Sequence, residues 1–489
     1  MAEAALLSGA RRPIVLCRRL QDAPVAAAVA PGNRFLGLLL PYTPLHHLLL
    51  GEVAAPLVLT SGNVSDEPIA YRDDDAAERL GGIADAFCVH DRPIHVRVDD
   101  SVVRAFRGRE LPLRRARGYA PEPLPLPLDL ARPVLACGAE LKSTFCVGKG
   151  RHAFVSHHIG DLENYETLRS FGEGVEHFRR LFQIEPALVA HDLHPEYLST
   201  KYAQELDGVE LVGVQHHHAH VAACLADNDT TGPAIGVAFD GLGFGPDGTI
   251  WGGEFLAADL AGYRRLGHLE PVPLPGGAAA IREPWRMAVA YLDAVLPGAV
   301  PDDLGVLARH RDRWAAAVAV ARSPLASPPT SSAGRLFDAV AAILGVRDAI
   351  NYEGQAAVEL EQLADPGERG AYPAAVTAGL PFRVAGGDLV LAVLEDLRAG
   401  VDRAVVAARF HHGVARALVA GCRAARAATG LDTVALSGGV FQNLLLLEAA
   451  VAGLAADGFR VLLHGRVPPN DGGISLGQAA VAGARDRLP

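Results

Sequence analysis

This chain of 489 residues has few lysines, no closely paired cysteines and no long apolar runs. Proline, glycine or charge interrupts every apolar run before it reaches the roughly 20 residues that a membrane helix needs. The N-terminal segment MAEAALLSG has an apolar patch but no basic region before it, so it does not resemble a secretory signal. These absences predict a cytoplasmic protein with no membrane contact.

The six cysteines stand singly, and none forms a C-x-x-C pair. A zinc ribbon needs such pairs, and disulfide frameworks are typical of small secreted chains, so both are excluded. Lysine occurs only at Lys142, Lys149 and Lys201, which makes each lysine a residue to inspect. The net charge of −11 argues against nonspecific binding of nucleic acid.

The length and the half-apolar composition predict two or more domains. Five prolines within residues 114–133 predict a semi-rigid linker, which we place at 121–133. The linker separates a small α/β domain, residues 1–120, from a larger α/β domain, residues 134–489. Within the small domain, APLVLTSGN at residues 55–63 is one of the segments predicted to be a strand.

The larger domain contains three strand-and-loop units that are rich in glycine. PVLACGAELKSTFCVGKGRHAFV and AIGVAFDGLGFGPDGTIWGGEFL each read as strand, glycine turn and strand. The third unit, beginning TVALSGGVFQN, reads as strand, Gly-Gly loop and helix. Glycine lets backbone amides approach phosphate oxygens, so the three units predict a duplicated α/β architecture that closes on a nucleotide.

Four histidines lie in the segment HHHAHVAACLAD. In a helix, His216 and His220 would lie one turn apart on one face, at the spacing that suits one metal ion. His217 and His218 would point elsewhere, as supporting or surface groups, with His217 and His220 as an alternative pair. Cys224 is predicted to be a small buried hydrophobe. A solvated helix start, or a fortuitous chelator, is the competing interpretation.

Two carboxylates are candidate partners of the histidine pair. Asp240 is predicted to end a strand, and Asp471 to lie in a loop between a strand and a helix. Such a mixed nitrogen and oxygen site would suit iron, manganese or zinc better than calcium or magnesium. Ordinary Asp-Gly turn chemistry also explains both aspartates. A metalloprotease is disfavoured because the glutamate of H-E-x-x-H is absent, and a sugar kinase of this fold would not need the histidines.

Several motifs together resemble one family. VQHHHAHVAAC, FDGLGFGPDGTIWGGEF, IREPWRMA, NYEGQAAVELE, LSGGVFQN and PPNDGGISLGQA resemble the C-terminal domain of the HypF hydrogenase maturation carbamoyltransferases. PLVLTSGNVSDEPI and HDRPIHVRVDDSVVR resemble the YrdC-like domain that precedes it. That C-terminal domain is also similar to tRNA threonylcarbamoyl transferases. The resemblance therefore implies an α/β chain with a truncated YrdC-like domain and a duplicated ribonuclease-H-like domain of the actin type (ASKHA).

The resemblance also implies site residues. It implies metal ligation by His216, His220, Asp240 and Asp471, and catalytic roles for Lys142, His216 and His220. It implies nucleotide binding by Gly241, Gly243, Gly245, Gly438, Gly439 and Asn443. In the YrdC-like domain, Ser61 and Asn63 match a Ser-x-Asn signature for an acyl-adenylate. We add Arg115 and Arg117 as predicted phosphate contacts, with a solvated basic linker as the alternative.

The implied reaction is a relay. Carbamoyl phosphate yields carbamate, which ATP, with Mg²⁺, converts to carbamoyl-adenylate. The carbamoyl group then passes to a C-terminal cysteine of a HypE-type partner, with a divalent metal, iron or else zinc or manganese, beside the phosphates.

The chain departs from the family pattern at its start. The acylphosphatase-like segment, the zinc fingers and a Lys-x-Arg element of the YrdC-like domain have no counterpart before Lys142. We therefore expect an N-terminally truncated chain that does not make carbamoyl-adenylate alone. Two alternatives stay open: an O-carbamoyltransferase acting on a small molecule, and a catalytically silent protein that binds nucleotide or partner.

Overall fold

The structure is a computed structural model, and it describes residues 2–65 and 67–488. Two units follow from the contacts within the chain. Unit 1 is Met1–Val214 with His464–Pro489, and unit 2 is Gln215–Leu463. Among the described helices, none has the length and apolar character that crossing a membrane requires.

Unit 1 contains two four-stranded sheets. The strands are β1 (Ile14–Arg18), β2 (Phe35–Leu38), β3 (Val102–Phe106), β4 (Arg109–Arg114), β5 (Leu124–Ala136), β6 (Cys146–Val155), β7 (Leu188–Asp192) and β8 (Glu210–Val214). The helices are α1 (Ala2–Ser8), α2 (Pro44–Val53), α3 (Asp73–Leu80), α4 (Tyr165–Phe182), α5 (Leu198–Gln204) and, near the end of the chain, α16 (Ile474–Arg485).

Unit 2 is built on one eight-stranded sheet. Its strands are β9 (Ala234–Phe244), β10 (Ile250–Ala258), β11 (Tyr263–Leu269), β12 (Val272–Pro273), β13 (Pro329–Thr330), β14 (Phe382–Val384), β15 (Thr433–Ser437) and β16 (Arg460–Leu462). Its helices are α6 (His216–Asp227), α7 (Ala278–Arg282), α8 (Trp285–Val295), α9 (Gly305–Arg309), α10 (Arg311–Ala321), α11 (Ala333–Ile343), α12 (Gln355–Leu363), α13 (Gly386–Arg398), α14 (Arg403–Thr429) and α15 (Leu444–Ala456).

The two units share one strand pattern. In unit 1 the sheet order is β6-β5-β7-β8, with an antiparallel hairpin and then two parallel strands. In unit 2 the order β10-β9-β15-β16 has the same directions. The duplicated architecture that the glycine hairpins predict is therefore confirmed. Residues 258–430 are mostly helical.

The predicted linker is replaced by a strand. β5 begins at Leu124, and the four leucines at alternate positions of LPLPLDL are buried. Pro125 and Pro127 alternate with these leucines and point to the other face of the strand. The register of β5 against β6 shifts between Pro125 and Leu130. Proline has no amide to donate, and such irregular pairing tolerates it. The linker prediction is wrong for residues 124–133, whereas the division into domains 1–120 and 134–489 stays a prediction.

The first sheet has a small core. Its order is β2-β1-β3-β4, and the buried cluster on it consists of Val15, Val103 and Tyr119. The predicted strand at residues 55–63 does not form, because those residues have no partner strand among the described residues. The second sheet of unit 1 has a larger core, a cluster of twelve buried residues from its strands, the adjoining loops, α5 and α4, which contributes Phe171.

Candidate metal and nucleotide site

The predicted histidine helix forms as α6, and all 12 of its residues are buried. His216 Nε2 lies 3.3 Å from Asp240 Oδ2, and His220 Nε2 lies 3.4 Å from the same oxygen. The planes of the two imidazole rings are inclined by 77°. Two ring nitrogens and one carboxylate oxygen of unit 2 therefore converge, and such a donor group could hold a metal ion.

The Asp240 carboxylate is held from a second side. Its Oδ1 accepts a hydrogen bond of 2.8 Å from the backbone amide of Gly439, and Ser332 Oγ donates to its backbone oxygen at 3.0 Å. Burial raises the pKa of Asp240, but contacts with His216 and His220 outweigh burial and hold that pKa well below its ordinary value. The carboxylate is therefore ionised and oriented, as a metal ligand needs to be.

Asp240 lies inside β9 and not at the end of a strand. Phe239 pairs with Gly253 and Gly243 with Trp251, so residues 240–242 of β9 face residue 252 alone. A bulge of this kind breaks the alternation of side chains and re-aims one of them. The strand-end prediction is wrong. Asp240 faces the histidines by the regular alternation of β9, because a Cβ at Gly236, four residues earlier, also meets α6. The bulge follows Asp240 and brings the position of Gly243 onto the same face.

Two predicted nucleotide-binding glycines of β9 and its turn are needed for packing. A Cβ at Gly243 would lie 2.3 Å from His217 Cε1, and a Cβ at Gly245 would lie 2.3 Å from Trp251 Nε1. The amide of Gly245 also donates to Thr249 O at 2.9 Å, which closes the hairpin. These contacts explain the glycines sterically, and nucleotide binding by them stays a prediction.

The Gly-Gly loop after β15 bends back onto β9. Gly438 has a φ of +105°, and a Cβ there would lie 2.1 Å from Phe239 O, so only glycine fits. Its neighbour Gly439 then donates to the Asp240 carboxylate. A loop that the family resemblance assigns to nucleotide binding thus also positions a candidate metal ligand, and no sequence pattern indicates that second role.

The other histidines of α6 are not at the surface, so the surface alternative is wrong for both. His217 and His218 are fully buried. His218 Nε2 lies 2.7 Å from Asp259 O, and His217 Nδ1 lies 3.2 Å from Gln215 Nε2. Cys224 is buried as predicted, and burial raises the pKa of its thiol well above the ordinary value.

In unit 1, the loop that carries Lys142 lies beside the loop that carries Asp471. Lys142 has a φ of +47°, and its amide donates to Asp161 Oδ1 at 2.6 Å. Thr144 Oγ1, two residues later, lies 3.1 Å from Gly472 O. Asp471 begins a single 3₁₀ turn before α16, in the predicted loop between strand and helix. Its service as fourth ligand of the histidine group stays a prediction.

Asn443 is engaged by the protein. Its Oδ1 caps α15 by accepting from the amide of Leu446 at 3.0 Å, and its Nδ2 donates to His411 Nε2 at 2.9 Å. His411 is fully buried and donates from Nδ1 to Ala407 O, and burial lowers its pKa to about 4. His411 is therefore a neutral histidine next to the Gly-Gly loop that the sequence motifs do not single out.

Three family models match consecutive parts of the chain. The Sua5, YciO and YrdC model, described as telomere recombination, matches residues 1–116. The model of the HypF Kae1-like domain matches residues 129–227. The model described as carbamoyltransferase, Kae1-like domain, second subdomain, matches residues 236–478.

Two relatives match 72% and 99% of the chain. A carbamoyltransferase HypF homolog from Cupriavidus necator is 41% identical over 72% of this chain and 91% of its own length. A solved structure of full-length HypF in the phosphate- and nucleotide-bound form is 39% identical, with a TM-score of 0.94 over 99% of this chain and 76% of that chain. This chain belongs to the HypF family of carbamoyltransferases. The resemblance is thereby confirmed, and so is the fold class, an α/β chain with a YrdC-like part and a Kae1-like domain of the ASKHA type.

This chain spans only part of the length of other HypF proteins. Carbamoyltransferase HypF2 from Cupriavidus necator is 44% identical over 98% of this chain, but the chain spans only 64% of that protein.

Unit 1 contains a cavity of about 240 Å³ that is lined both by the part that matches the YrdC model and by residues 157–170 of the next part. Ser61 and Asn63 line it, and Ser61 Oγ donates to Asn63 Oδ1 at 2.6 Å. Arg114, paired with Asp99 at 2.8 Å, lines the same cavity, together with Thr167 at the start of α4. The Ser-x-Asn residues thus share a cavity with an arginine that precedes the two predicted phosphate contacts in the sequence.

Arg115 and Arg117 do not line that cavity. Arg115 is buried and donates to the carbonyl oxygens of Val155, Tyr119 and Glu122 at 2.6, 2.8 and 2.9 Å. Arg117 donates to Asp100 Oδ1 at 2.6 Å, and its guanidinium carbon lies 3.4 Å from the centroid of the Tyr42 ring. Both side chains bind protein atoms, which disfavours both the phosphate role and the solvated linker.

Proposed function

We propose that this chain transfers a carbamoyl group from carbamoyl-adenylate to a cysteine thiolate of a HypE-type partner, in the maturation of a nickel-iron hydrogenase in the cytoplasm. Carbamoyl phosphate and ATP are the proposed sources of the adenylate. The observation that carries the proposal is the convergence of His216, His220 and Asp240 in a chain of this family. A relative of 39% identity was solved with phosphate and nucleotide bound, which supports a nucleotide substrate.

The donor set fits a divalent transition metal. Both histidines present Nε2, and the one carboxylate is ionised and held by a backbone amide. Iron, zinc and manganese accept such nitrogen and oxygen ligands, and we propose iron with Asp471 as the fourth ligand. When bound, the metal would place positive charge where phosphate oxygens gain negative charge.

The proposed step needs no nucleophile from this chain. The thiolate of the partner attacks the carbamoyl carbon, a carbon–sulfur bond forms, and the bond from that carbon to the phosphate oxygen breaks. AMP leaves with the electron pair, and the product is a carbamoyl thioester. We assign the backbone amides of the glycine-rich loops and Lys142 to the phosphate oxygens of the adenylate, with Asn443 near the nucleoside.

The part that matches the YrdC model is proposed to bind the acyl-adenylate. Ser61 and Asn63 offer short polar side chains at the cavity, and Arg114 lies at the same cavity. A guanidinium suits phosphate oxygens, so we assign Arg114, in place of Arg115 and Arg117, to the phosphate.

The test removes the histidine pair. A His216→Ala, His220→Ala variant is expected to lose metal affinity by at least about 100-fold and to lose carbamoyl transfer, because two of the proposed ligands disappear. The measurements are metal content by mass spectrometry and the mass gain of one carbamoyl group on a HypE-type protein supplied with carbamoyl-adenylate. His47→Ala, at an exposed histidine of α2, is the matched control and should keep both properties.

Two outcomes count against the proposal separately. Equal metal content in the variant and the unaltered chain would overturn the ligand assignment. A metal-loaded chain that leaves the partner cysteine unmodified would overturn the transfer reaction, even if the histidines hold metal.

A further inference from the structure

The hydrogen-bonding state of His217 is fixed by its neighbour Gln215. Gln215 Oε1 accepts from the amide of His218 at 2.9 Å, and Gln215 Nε2 donates to Phe244 O at 3.2 Å. These two partners determine which end of the amide is oxygen and which is nitrogen. The second hydrogen of the amide nitrogen then points to His217 Nδ1, at 3.2 Å.

It follows that His217 Nδ1 accepts a hydrogen bond and that Nε2 carries the ring hydrogen. A neutral imidazole has one donor and one acceptor nitrogen, so fixing one of them fixes the other. A nitrogen that carries a hydrogen has no lone pair for a metal. This rules against the alternative pair, His217 with His220, and leaves His216 with His220 as the imidazole ligands.

The Nε2 hydrogen of His217 has no acceptor among the described residues, although the side chain is fully buried. Leaving a buried donor unpaired costs stability, and folded proteins rarely keep one without a reason. Burial on this scale also means that the ring cannot turn outward for a partner.

The ring lies within the candidate site. Its centroid is 5.2 Å from that of His216, and its Cε1 would be 2.3 Å from a Cβ at Gly243, one of the predicted nucleotide-binding glycines. The donor is thus next to both the candidate metal ligands and the glycine-rich strand. An acceptor reaching this position would come from a molecule bound at the site.

We propose that His217 donates a hydrogen bond from Nε2 to an oxygen of the bound substrate, on its phosphoryl or its carbamoyl group. The identity of the ligand rests on the proposed function. The assignment of Nε2 as the donor rests on the contact between Gln215 Nε2 and His217 Nδ1. His217 is then a substrate-binding residue, distinct from the metal ligands His216 and His220. Gln215 is the residue that positions its ring.

The test observes the ring directly. The full-length chain, metal-loaded and labelled with ¹⁵N in histidine, is compared by NMR with a His217→Gln variant to assign the His217 signals. We expect the tautomer with hydrogen on Nε2, and a shift of that signal on adding AMP or carbamoyl phosphate. A shift with AMP indicates a phosphate oxygen, and a shift with carbamoyl phosphate alone indicates the carbamoyl oxygen.

Binding measurements complete the test. His217→Phe removes the donor and should weaken the binding of AMP or carbamoyl phosphate about tenfold, whereas His217→Gln, which keeps an amide donor, should restore part of it. Metal content should stay unchanged in both variants, which a damaged ligand helix would not allow.

The contrary results are distinct. If a ligand binds the unaltered chain but the Nε2 signal does not move, or if Nδ1 carries the hydrogen, the assignment of His217 is wrong and the proposed function survives. If neither ligand binds the metal-loaded chain, the proposed function fails and the His217 assignment fails with it.

Discussion

Helices α2 and α6 differ in burial, because α2 has no buried residue and α6 is buried throughout. The leucine-rich sequence of α2, PLHHLLLGEV, has no buried residue, and Leu48 is 69% exposed. The histidine-rich sequence of α6, HHHAHVAACLAD, is buried along its whole length. Each helix contains adjacent histidines, yet the more apolar helix is the exposed one. Burial here follows what surrounds the helix and not the residue types within it.

The elements around α6 enclose it closely. It packs against β9, β10 and β15, and Val221 approaches β9 so closely that a Cβ at Gly236 would lie 2.3 Å from its Cγ2. Glycine at this position is what lets the strand and the helix meet. Buried imidazoles are tolerated in such a place because the surrounding elements supply polar partners, such as the Asp240 carboxylate of β9.

The first hundred residues contain many exposed apolar side chains by comparison. Those exposed by more than 60% include Leu20, Leu48, Val58, Ile83 and Val89. The buried hydrophobic cluster on the first sheet has three members, so these residues have little core to join. The comparison predicts that apolar residues in the two regions differ sharply in their contribution to stability.

The largest expected effect is the loss of a core aromatic residue in unit 2. Phe255 is fully buried, with ring contacts to Phe239 and Phe382. Phe255→Ala should lower the free energy of unfolding by about 3–5 kcal/mol, because it removes apolar burial and leaves a cavity. Leu48→Ala on α2 should change it by less than about 0.5 kcal/mol. Denaturant titration measures both, and a comparable loss in the two variants would erase the contrast between the regions.

A smaller effect is expected when a glycine receives one methyl group. At Gly243 the new Cβ would lie 2.3 Å from His217 and 2.8 Å from His216, and both rings are fixed in place. Gly243→Ala should therefore destabilise the chain by about 1–3 kcal/mol through overpacking and should reduce its metal content. Thermal unfolding and metal analysis are the measurements.

Gly51 of α2 is the matched control, because a Cβ there meets nothing within 4 Å. Gly51→Ala should stabilise the chain by up to about 1 kcal/mol, since alanine favours a helix over glycine. A Gly243→Ala variant with normal stability and full metal content would show that the histidine rings have room to move.

Local patterns of the sequence predicted the histidine helix, and features that depend on long-range packing could not be predicted in the same way. The spacing of His216 and His220 is a property of one helix, so it could be predicted without any partner. The position of Asp240 opposite the histidines depends on how β9 packs against α6, and the buried hydrogen bonds of Arg115 depend on three separate carbonyl groups. Neither feature can be recognised from the local sequence.

The missed strand at residues 124–130 could have been recognised from the sequence. Leucine alternates with other residues there at the period of a strand, but the intervening prolines favoured the linker interpretation. The converse error at residues 55–63 has a different cause. A β-prone segment becomes a strand only where another strand accepts its hydrogen bonds, and the first sheet offers none to it among the described residues.

The smallest expected effect concerns a half-buried carboxyl group in unit 1. Burial raises the pKa of Glu140 to about 7, helped by Glu163, although Glu140 accepts a hydrogen bond from the amide of Leu198 at 2.8 Å. Between pH 4.5 and 7 the folded chain holds this proton and the unfolded chain has released it. Stability should therefore fall as the pH rises through this window.

Glu140→Gln replaces the protonated form with a neutral amide and should remove that decline. Because Glu140 is partly exposed, solvent screening limits the difference to about 1 kcal/mol at pH 7.5, with the variant more stable. Unfolding midpoints at pH 5 and pH 7.5 measure it. Glu52→Gln, at an exposed glutamate of α2, leaves Glu140 in place and should therefore keep the decline. Equal pH profiles for the unaltered chain and Glu140→Gln would mean that Glu140 is as well solvated as Glu52, because burial is what sets the two carboxyl groups apart.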